Sequence, residues 1–464
     1  MESGNRAPVP VHVRANVARV LLDALATQCK AYCILSGYER LPDNFDTDID
    51  FMVDQEDFDR MPRIIVEVAR KTGTQLFQAI DHELTGRAYF LGSLEGRALT
   101  IVQPDCAADY RHFGRRWLPA KEVLAARRLH PNGFYIPSTA HEFAYALIKR
   151  LNKRSFNREH GYRLHRLYVE DRIECGRMIA RFCRGPEGSA IVRMASANDW
   201  TEMYSSVEPF RAAMLRSQKE TFTERLKALP RNALYLLRRI VQPTGCWVAF
   251  MGPDGCGKSL VINAVSGEFA PSFRTVSYFH LRPKLIGRKP TRQGPVTNPH
   301  GQPPRGAVAS VAKVIDLWLD YTLGYLARIL PGVIRTELVL FDRCIYDLLV
   351  DSKRIRYGGP PWLLQTAARL SPGPDLVILL DAPPEVLRSR KQEVPVAEIV
   401  RQRAAYLDLA RTLPSAVVVN AAQPVEHVVR DALAAILEHL GRRTRKRLGI
   451  PVPSGDKSPA QRSW

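Results

Sequence analysis

Residues 252–259, Gly-Pro-Asp-Gly-Cys-Gly-Lys-Ser, place three glycines, a lysine and a hydroxyl within eight positions. Gly252, Gly255 and Gly257 let the backbone turn so that successive N–H groups point inward at a phosphate, with Asp254 and Cys256 held between them. Lys258 is spaced to bridge β- and γ-phosphates, and Ser259 to offer its hydroxyl to a magnesium ion. The chemistry predicted is the binding of ATP with Mg²⁺. Its surroundings fit: the apolar run Trp247–Met251 reads as a strand before the turn, and the apolar residues 260–265 as a helix after it, whose N-terminus adds positive charge.

Two further groups follow in the chain. The apolar run Leu338–Phe341 ends on Asp342-Arg343, 84 residues after Lys258. A carboxylate at the end of a neighbouring strand can hold a Mg²⁺ shell directly or through water, or it can cap the next helix. Beyond a third apolar run, Leu376–Leu380, the segment from Asp381 to Lys391 puts Arg388, Arg390 and Lys391 within one helical turn. They read either as a mobile cationic segment that closes over transferring phosphates or as a solvated basic face.

FMGPDGCGKS, LVLFDR and LLDAPPEVLRSRK, in that order, resemble the P-loop, the Asp-Arg strand end and the lid of thymidylate kinase-like nucleoside monophosphate kinases, over residues 245–440. The resemblance implies that Asp254 meets the acceptor's sugar, that Asp342 and Arg343 sit at donor and acceptor phosphates, and that Arg388 and Arg390 clamp the transferring group. It also implies that the loop beginning at Asn420 packs the donor adenine. Where that family has an Arg-Glu-Pro-Gly segment, this chain has Phe279-His280-Leu281-Arg282-Pro283-Lys284, then a long Pro/Gly loop to Gly306. That loop carries His280, Arg282, Lys284, Arg288, Lys289, Arg292 and Arg305 and no acidic residue, which suits an anionic acceptor and equally a disordered basic loop.

A separate acidic group lies near the N-terminus, with eight acidic residues between Asp43 and Asp59. Asp48-Ile49-Asp50 opens a strand, so period 2 puts both carboxylates on one face, where two like charges call for a divalent cation. A third acceptor would come from Gln103 or Asp105. With Gly37 ending the preceding strand, residues 15–150 resemble the nucleotidyltransferase fold of the polymerase-β type, with Tyr38 where that family has a serine. The resemblance implies metal binding by Asp48 and Asp50; a solvated acidic loop on an inactive domain of the same fold is the other reading.

Several elements must position these groups. A chain of 464 residues exceeds one core, so two or three domains are expected. The reading is α/β: a small N-terminal α/β nucleotidyltransferase-like domain over 1–140, a helical middle domain over 141–240, a P-loop parallel sheet with flanking helices over 241–440, and a basic disordered tail over 441–464. The order strand, turn, helix, then three more strands separated by helices is that of a parallel sheet with helical crossovers.

The formal charge of +20 is uneven: residues 1–140 carry 17 Lys/Arg against 18 Asp/Glu, 141–240 carry 20 against 11, and 441–464 carry 7 against 1. This surplus suits phosphate-bearing partners. No aromatic-interleaved RNA motif or DNA-reading helix accompanies it, so nucleic acid is not an expected partner. Eight scattered cysteines lack ligand spacing, and no segment reads as a signal peptide or a membrane span, so a cytoplasmic protein without zinc or disulfides is expected. The predicted activity is phosphoryl transfer from ATP to a nucleotide or other phosphorylated small molecule, with a homodimer left open. Nucleotidyl transfer regulated by the P-loop domain, or a non-enzymatic nucleotide-binding switch, are its rivals.

Overall fold

The computed structural model describes residues 11–45, 48–112, 114–217, 222–283, 303–391 and 395–451. The chain divides into two compact units, Met1–Ser93 with Thr100–Leu237, and Leu94–Leu99 with Arg238–Trp464.

The first unit begins with α1 (Val11–Gln28), β1 (Tyr32–Ser36), β2 (Asp48–Val53), α2 (Gln55–Thr72), β3 (Gln75–Glu83), β4 (Gly86–Glu95) and β5 (Ala98–Ala107). The five strands form one sheet in the order β1-β2-β5-β4-β3. Helix α2 starts where the Asp54 carboxylate accepts from the N–H of Asp57 at 2.8 Å, and it stops at Gly73, whose left-handed φ of 67° only glycine adopts at little cost. Between those caps Phe58, Met61, Ile64, Ile65 and Val68 are buried at helical spacing.

Helices α3 (Thr139–Lys153), α4 (Arg158–Glu170), α5 (Arg172–Phe182), α6 (Pro186–Ala197), α7 (Glu208–Ser217) and α8 (Phe222–Val241) follow. Helices α3 to α7 do not stand apart as a middle domain. Cys33, Leu35 and Met52 of the sheet share one core with Phe143, Leu147, Leu151, Leu164 and Leu167, so the boundary expected at residue 140 runs through α3 and through that core. The apolar residues of α3 are buried in one core together with those of the following helices and of the sheet, and that shared burial joins the two segments.

The second unit contains β6 (Cys246–Met251), α9 (Lys258–Phe269), β7 (Thr275–His280), α10 (Ala307–Gly324), β8 (Glu337–Asp342), β9 (Leu376–Asp381), α11 (Pro384–Arg390), α12 (Val396–Thr412), β10 (Ala416–Asn420) and α13 (Val425–Arg447). Its sheet is parallel throughout, in the order β7-β8-β6-β9-β10. Central β6 is buried at all six positions, as a strand covered on both faces must be. The carboxyl ends of the strands, at Met251, His280, Asp342, Asp381 and Asn420, share one edge, where α/β sheets bind ligands.

The tail departs from expectation. Helix α13 continues to Arg447, because Arg443 donates to the carbonyls of Gly245 (2.6 Å) and Pro243 (2.9 Å) and Thr444 is buried. These contacts hold the helix where the charge run alone suggested disorder. Residues 452–464 of the tail lie outside the described residues, as do Lys284, Arg288, Lys289 and Arg292 of the basic loop. Among the described residues no helix is long and apolar enough to cross a membrane.

Candidate functional site

The turn between β6 and α9 has the predicted form. Gly252, Gly255 and Gly257 adopt φ of 139°, 90° and 88°, and a Cβ on Gly252 would lie 2.5 Å from the Leu380 carbonyl oxygen, so no other residue fits there. Helix α9 begins at Lys258 with no side chain capping its N-terminus and no acidic residue in its first turn. Its N–H groups and dipole are therefore left to an anion. Lys258 is buried, and its ammonium donates to the carbonyls of Gly252 and Pro253 at 2.8 Å each, beside the Cys256 sulfur at 3.5 Å.

Parallel pairing of β8 beside β6 brings Asp342 to this turn. Ser259 Oγ lies 3.4 Å from Asp342 Oδ2, Tyr278 Oη lies 3.4 Å from the same oxygen, and His280 Nδ1 lies at 3.8 Å. Asp342 Oδ1 is buried and has no hydrogen-bond partner among the described residues. Burial alone would raise the Asp342 pKa, but the His280 hydrogen bond and the charges of Lys258 and Arg343 outweigh it and hold the group below its ordinary value. An ionised carboxylate facing a serine hydroxyl fits a Mg²⁺ ion, which these two side chains would hold on one side.

The neighbouring Arg343 takes a left-handed φ of 67° and turns back into the unit. Its guanidinium donates to Asp254 Oδ1 (2.5 Å), Asp347 Oδ1 (3.3 Å) and Tyr406 Oη (3.2 Å), and it is buried. Arg354 donates to the other oxygen of Asp254 at 2.7 Å. Burial acts to raise the Asp254 pKa, and Arg343, Lys258, Arg354 and Lys391 together push it well below the usual carboxylate range.

The last turn of α11 lies against the glycine turn: a Cβ on Gly255 would be 3.1 Å from the Leu387 carbonyl oxygen and 3.3 Å from Lys391 Cβ. Arg388 is exposed and has no hydrogen-bond partner among the described residues. Arg390 donates to the Ala421 carbonyl at 2.9 Å, in the loop that Asn420 opens. The Asn420 carboxamide oxygen accepts from the N–H of Ala422 at 3.0 Å, shaping that loop. Asp381 is held by both forks of Arg403 from α12, at 2.8 Å each. Sequence reasoning did not find Arg354, Arg403 or Tyr406; an arginine or tyrosine inside a helical pattern carries no signal of the strand end it will reach.

In the first unit, β2 pairs in parallel with β5 and sets Asp48 opposite Gln103 and Asp50 opposite Asp105. The carboxylates are therefore near one another, and the Asp105 pKa is pushed up to about 7 by burial and by Asp50. Lys149 of α3, however, places its ammonium 2.5 Å from Asp50 Oδ2, and Ser36 Oγ donates to that same oxygen at 2.8 Å. Asp48 is exposed. Among the described residues no group of three or more His, Cys, Asp or Glu could hold a metal ion. As they stand, Asp48 and Asp50 do not fit the divalent ion expected there, because a lysine 99 residues away already supplies the positive charge.

No protein-family model matches the chain. The thymidylate kinase of Pediococcus pentosaceus is 25% identical over 214 residues, covering 41% of this chain and 97% of that protein. That of Lactobacillus acidophilus is 26% identical over 228 residues, covering 42% and 95%. That of Xanthomonas campestris pv. campestris is 27% identical over 212 residues, covering 44% and 88%. A solved thymidylate kinase from Ehrlichia chaffeensis is 15% identical and covers 42% of this chain and 98% of that one, with a TM-score of 0.29. Somewhat over two-fifths of this chain is thus similar to nearly the whole length of proteins named thymidylate kinases.

Proposed function

We propose that the second unit transfers the γ-phosphoryl group of ATP to a nucleotide or another phosphorylated metabolite. The observation that carries this is the convergence, at one sheet edge, of the uncapped helix N-terminus with Lys258, the Ser259–Asp342 pair and the cations of α11. The glycine turn and Lys258 bind the β- and γ-phosphates. Ser259 and Asp342 would hold Mg²⁺, and the ion would supply charge neutralisation for the phosphates. Arg388 and Arg390 extend the positive charge over the phosphates, and the loop at Asn420 receives the adenine. A screen of ADP release over nucleoside monophosphates and sugar phosphates tests the reading. Release of pyrophosphate instead would select nucleotidyl transfer, and tight ATP binding that no acceptor accelerates into ADP release would select a switch.

For the homodimer left open by the sequence we propose a surface on α10, where Val308, Val311, Ile315, Leu319 and Leu323 are exposed at three- and four-residue spacing. This stripe runs the length of an 18-residue helix, about 27 Å. A second copy crossing it with the same stripe would take all five side chains out of water at once. Sedimentation of Leu319→Glu against wild type checks it; an unchanged mass would remove α10 from consideration.

A further inference from the structure

The family resemblance assigns Asp254 to the acceptor's sugar and Arg343 to phosphates. The geometry distributes the work differently. Both oxygens of Asp254 are occupied, Oδ1 by Arg343 Nη2 and Oδ2 by Arg354 Nη2. Arg343 has its other terminal nitrogen on Asp347 and Tyr406, its backbone N–H on Phe250, and a side chain only 4% exposed. It is a fixed internal strut. Arg354 is different: its side chain is 21% exposed, and its bonds to Asp254 and Asp351 use Nη2 and Nε, which among the described residues leaves both hydrogens of Nη1. It is held by two carboxylates beside the glycine turn, so its fork is oriented in advance.

We infer that Arg354 is the guanidinium that receives the acceptor's phosphate, with Asp254 and Arg343 as its positioning residues, so that the acceptor is selected by a phosphomonoester dianion. The inference rests on the phosphotransfer reading of the same site. A guanidinium fork matches phosphate oxygens in geometry as well as charge. Asp254, by contrast, has each oxygen already accepting a charge-assisted bond from an arginine, one of them buried, so its orientation is fixed by that pair. In the transfer, an oxygen of the acceptor phosphate forms the new bond to the γ-phosphorus. The bond from that phosphorus to the bridging oxygen breaks, its electron pair leaves on ADP, and a dianionic acceptor needs no base to take a proton.

The test uses the full chain saturated with the non-hydrolysable analogue AMP-PNP and Mg²⁺, so that the glycine turn is filled, and titrates inorganic phosphate by calorimetry. Wild type should bind phosphate, Arg354→Met should weaken it about tenfold or more, and Arg354→Lys should lose less. AMP-PNP affinity should stay within about twofold. Asp254→Asn should weaken phosphate binding too, and adding it to Arg354→Met should cost nothing further, a non-additivity that a packing role would not produce. Unchanged phosphate affinity in Arg354→Met, or no phosphate binding by wild type loaded with AMP-PNP, would overturn the inference and leave the phosphotransfer reading standing. Failure of wild type to bind AMP-PNP would overturn that reading and the inference with it.

Discussion

Replacing Lys258 by Met removes one charge while keeping most of the buried aliphatic stem. The ammonium makes two 2.8 Å hydrogen bonds, to the carbonyls of Gly252 and Pro253. Losing two charge-assisted bonds costs about 1.5–3 kcal/mol each. Against that, the variant no longer keeps an ammonium out of water, a penalty of several kcal/mol. The two effects oppose each other, so the net change in stability should stay within about 2 kcal/mol, a shift of no more than about 8 °C in a unit of this size. Turnover should respond far more, because among the described residues no other cationic side chain donates to the carbonyls of the glycine turn. Removing even a neutral donor to developing charge costs about 10²–10³ in rate, and a charged one should cost at least that. Thermal unfolding and coupled ADP release, measured on the same preparation, separate the two effects. A folded Lys258→Met variant that turns over within about threefold of wild type would refute the assignment of the phosphate cradle.

Three other outcomes follow from the same geometry. Arg388→Ala should lower kcat with little change in ATP binding, whereas Arg390→Ala should also weaken ATP, because it loses the bond to Ala421 that steadies the proposed adenine loop; equilibrium ATP titration beside steady-state kinetics distinguishes them. Asp342 has a depressed pKa in the folded state, so its contribution to stability is present above its unfolded value near 4 and is lost as pH falls through the lower folded value. The stability gap between wild type and Asp342→Asn should therefore be flat above about pH 5 and close only in strong acid, as acid unfolding curves will show. In the first unit, buried Glu142 accepts from Tyr38 Oη and from Arg163 at 2.7 Å. Glu142→Gln leaves Arg163 with Glu39, 3.9 Å away, as a weaker counter-charge; since the Arg163 side chain is 26% exposed, a loss of about 1–3 kcal/mol is expected in denaturant unfolding.

What could be read from the chain was whatever is contiguous. The cradle at 252–259 was legible because eight adjacent residues hold both the glycines that turn the backbone and the groups that meet a phosphate, and the strand and helix around it announce themselves by their own apolar patterns. The strands at Asp48–Val53, Glu337–Asp342, Leu376–Asp381 and Ala416–Asn420 were legible for the same reason. Pairing between distant residues was not. The order β7-β8-β6-β9-β10, which sets Asp342 beside Ser259, depends on how crossovers pack and not on any one segment. Arg354 meets Asp254 across 100 residues and Lys149 meets Asp50 across 99, so both carboxylates face cations that no local pattern reveals. Helix α13 likewise persists past residue 441 because Arg443 and Thr444 find partners in the packed unit. Local sequence determined which segments become strands, helices and a phosphate turn, since those choices depend on neighbouring residues. Tertiary structure alone decided which charges face one another, because a carboxylate's role follows from the cation that the fold carries to it.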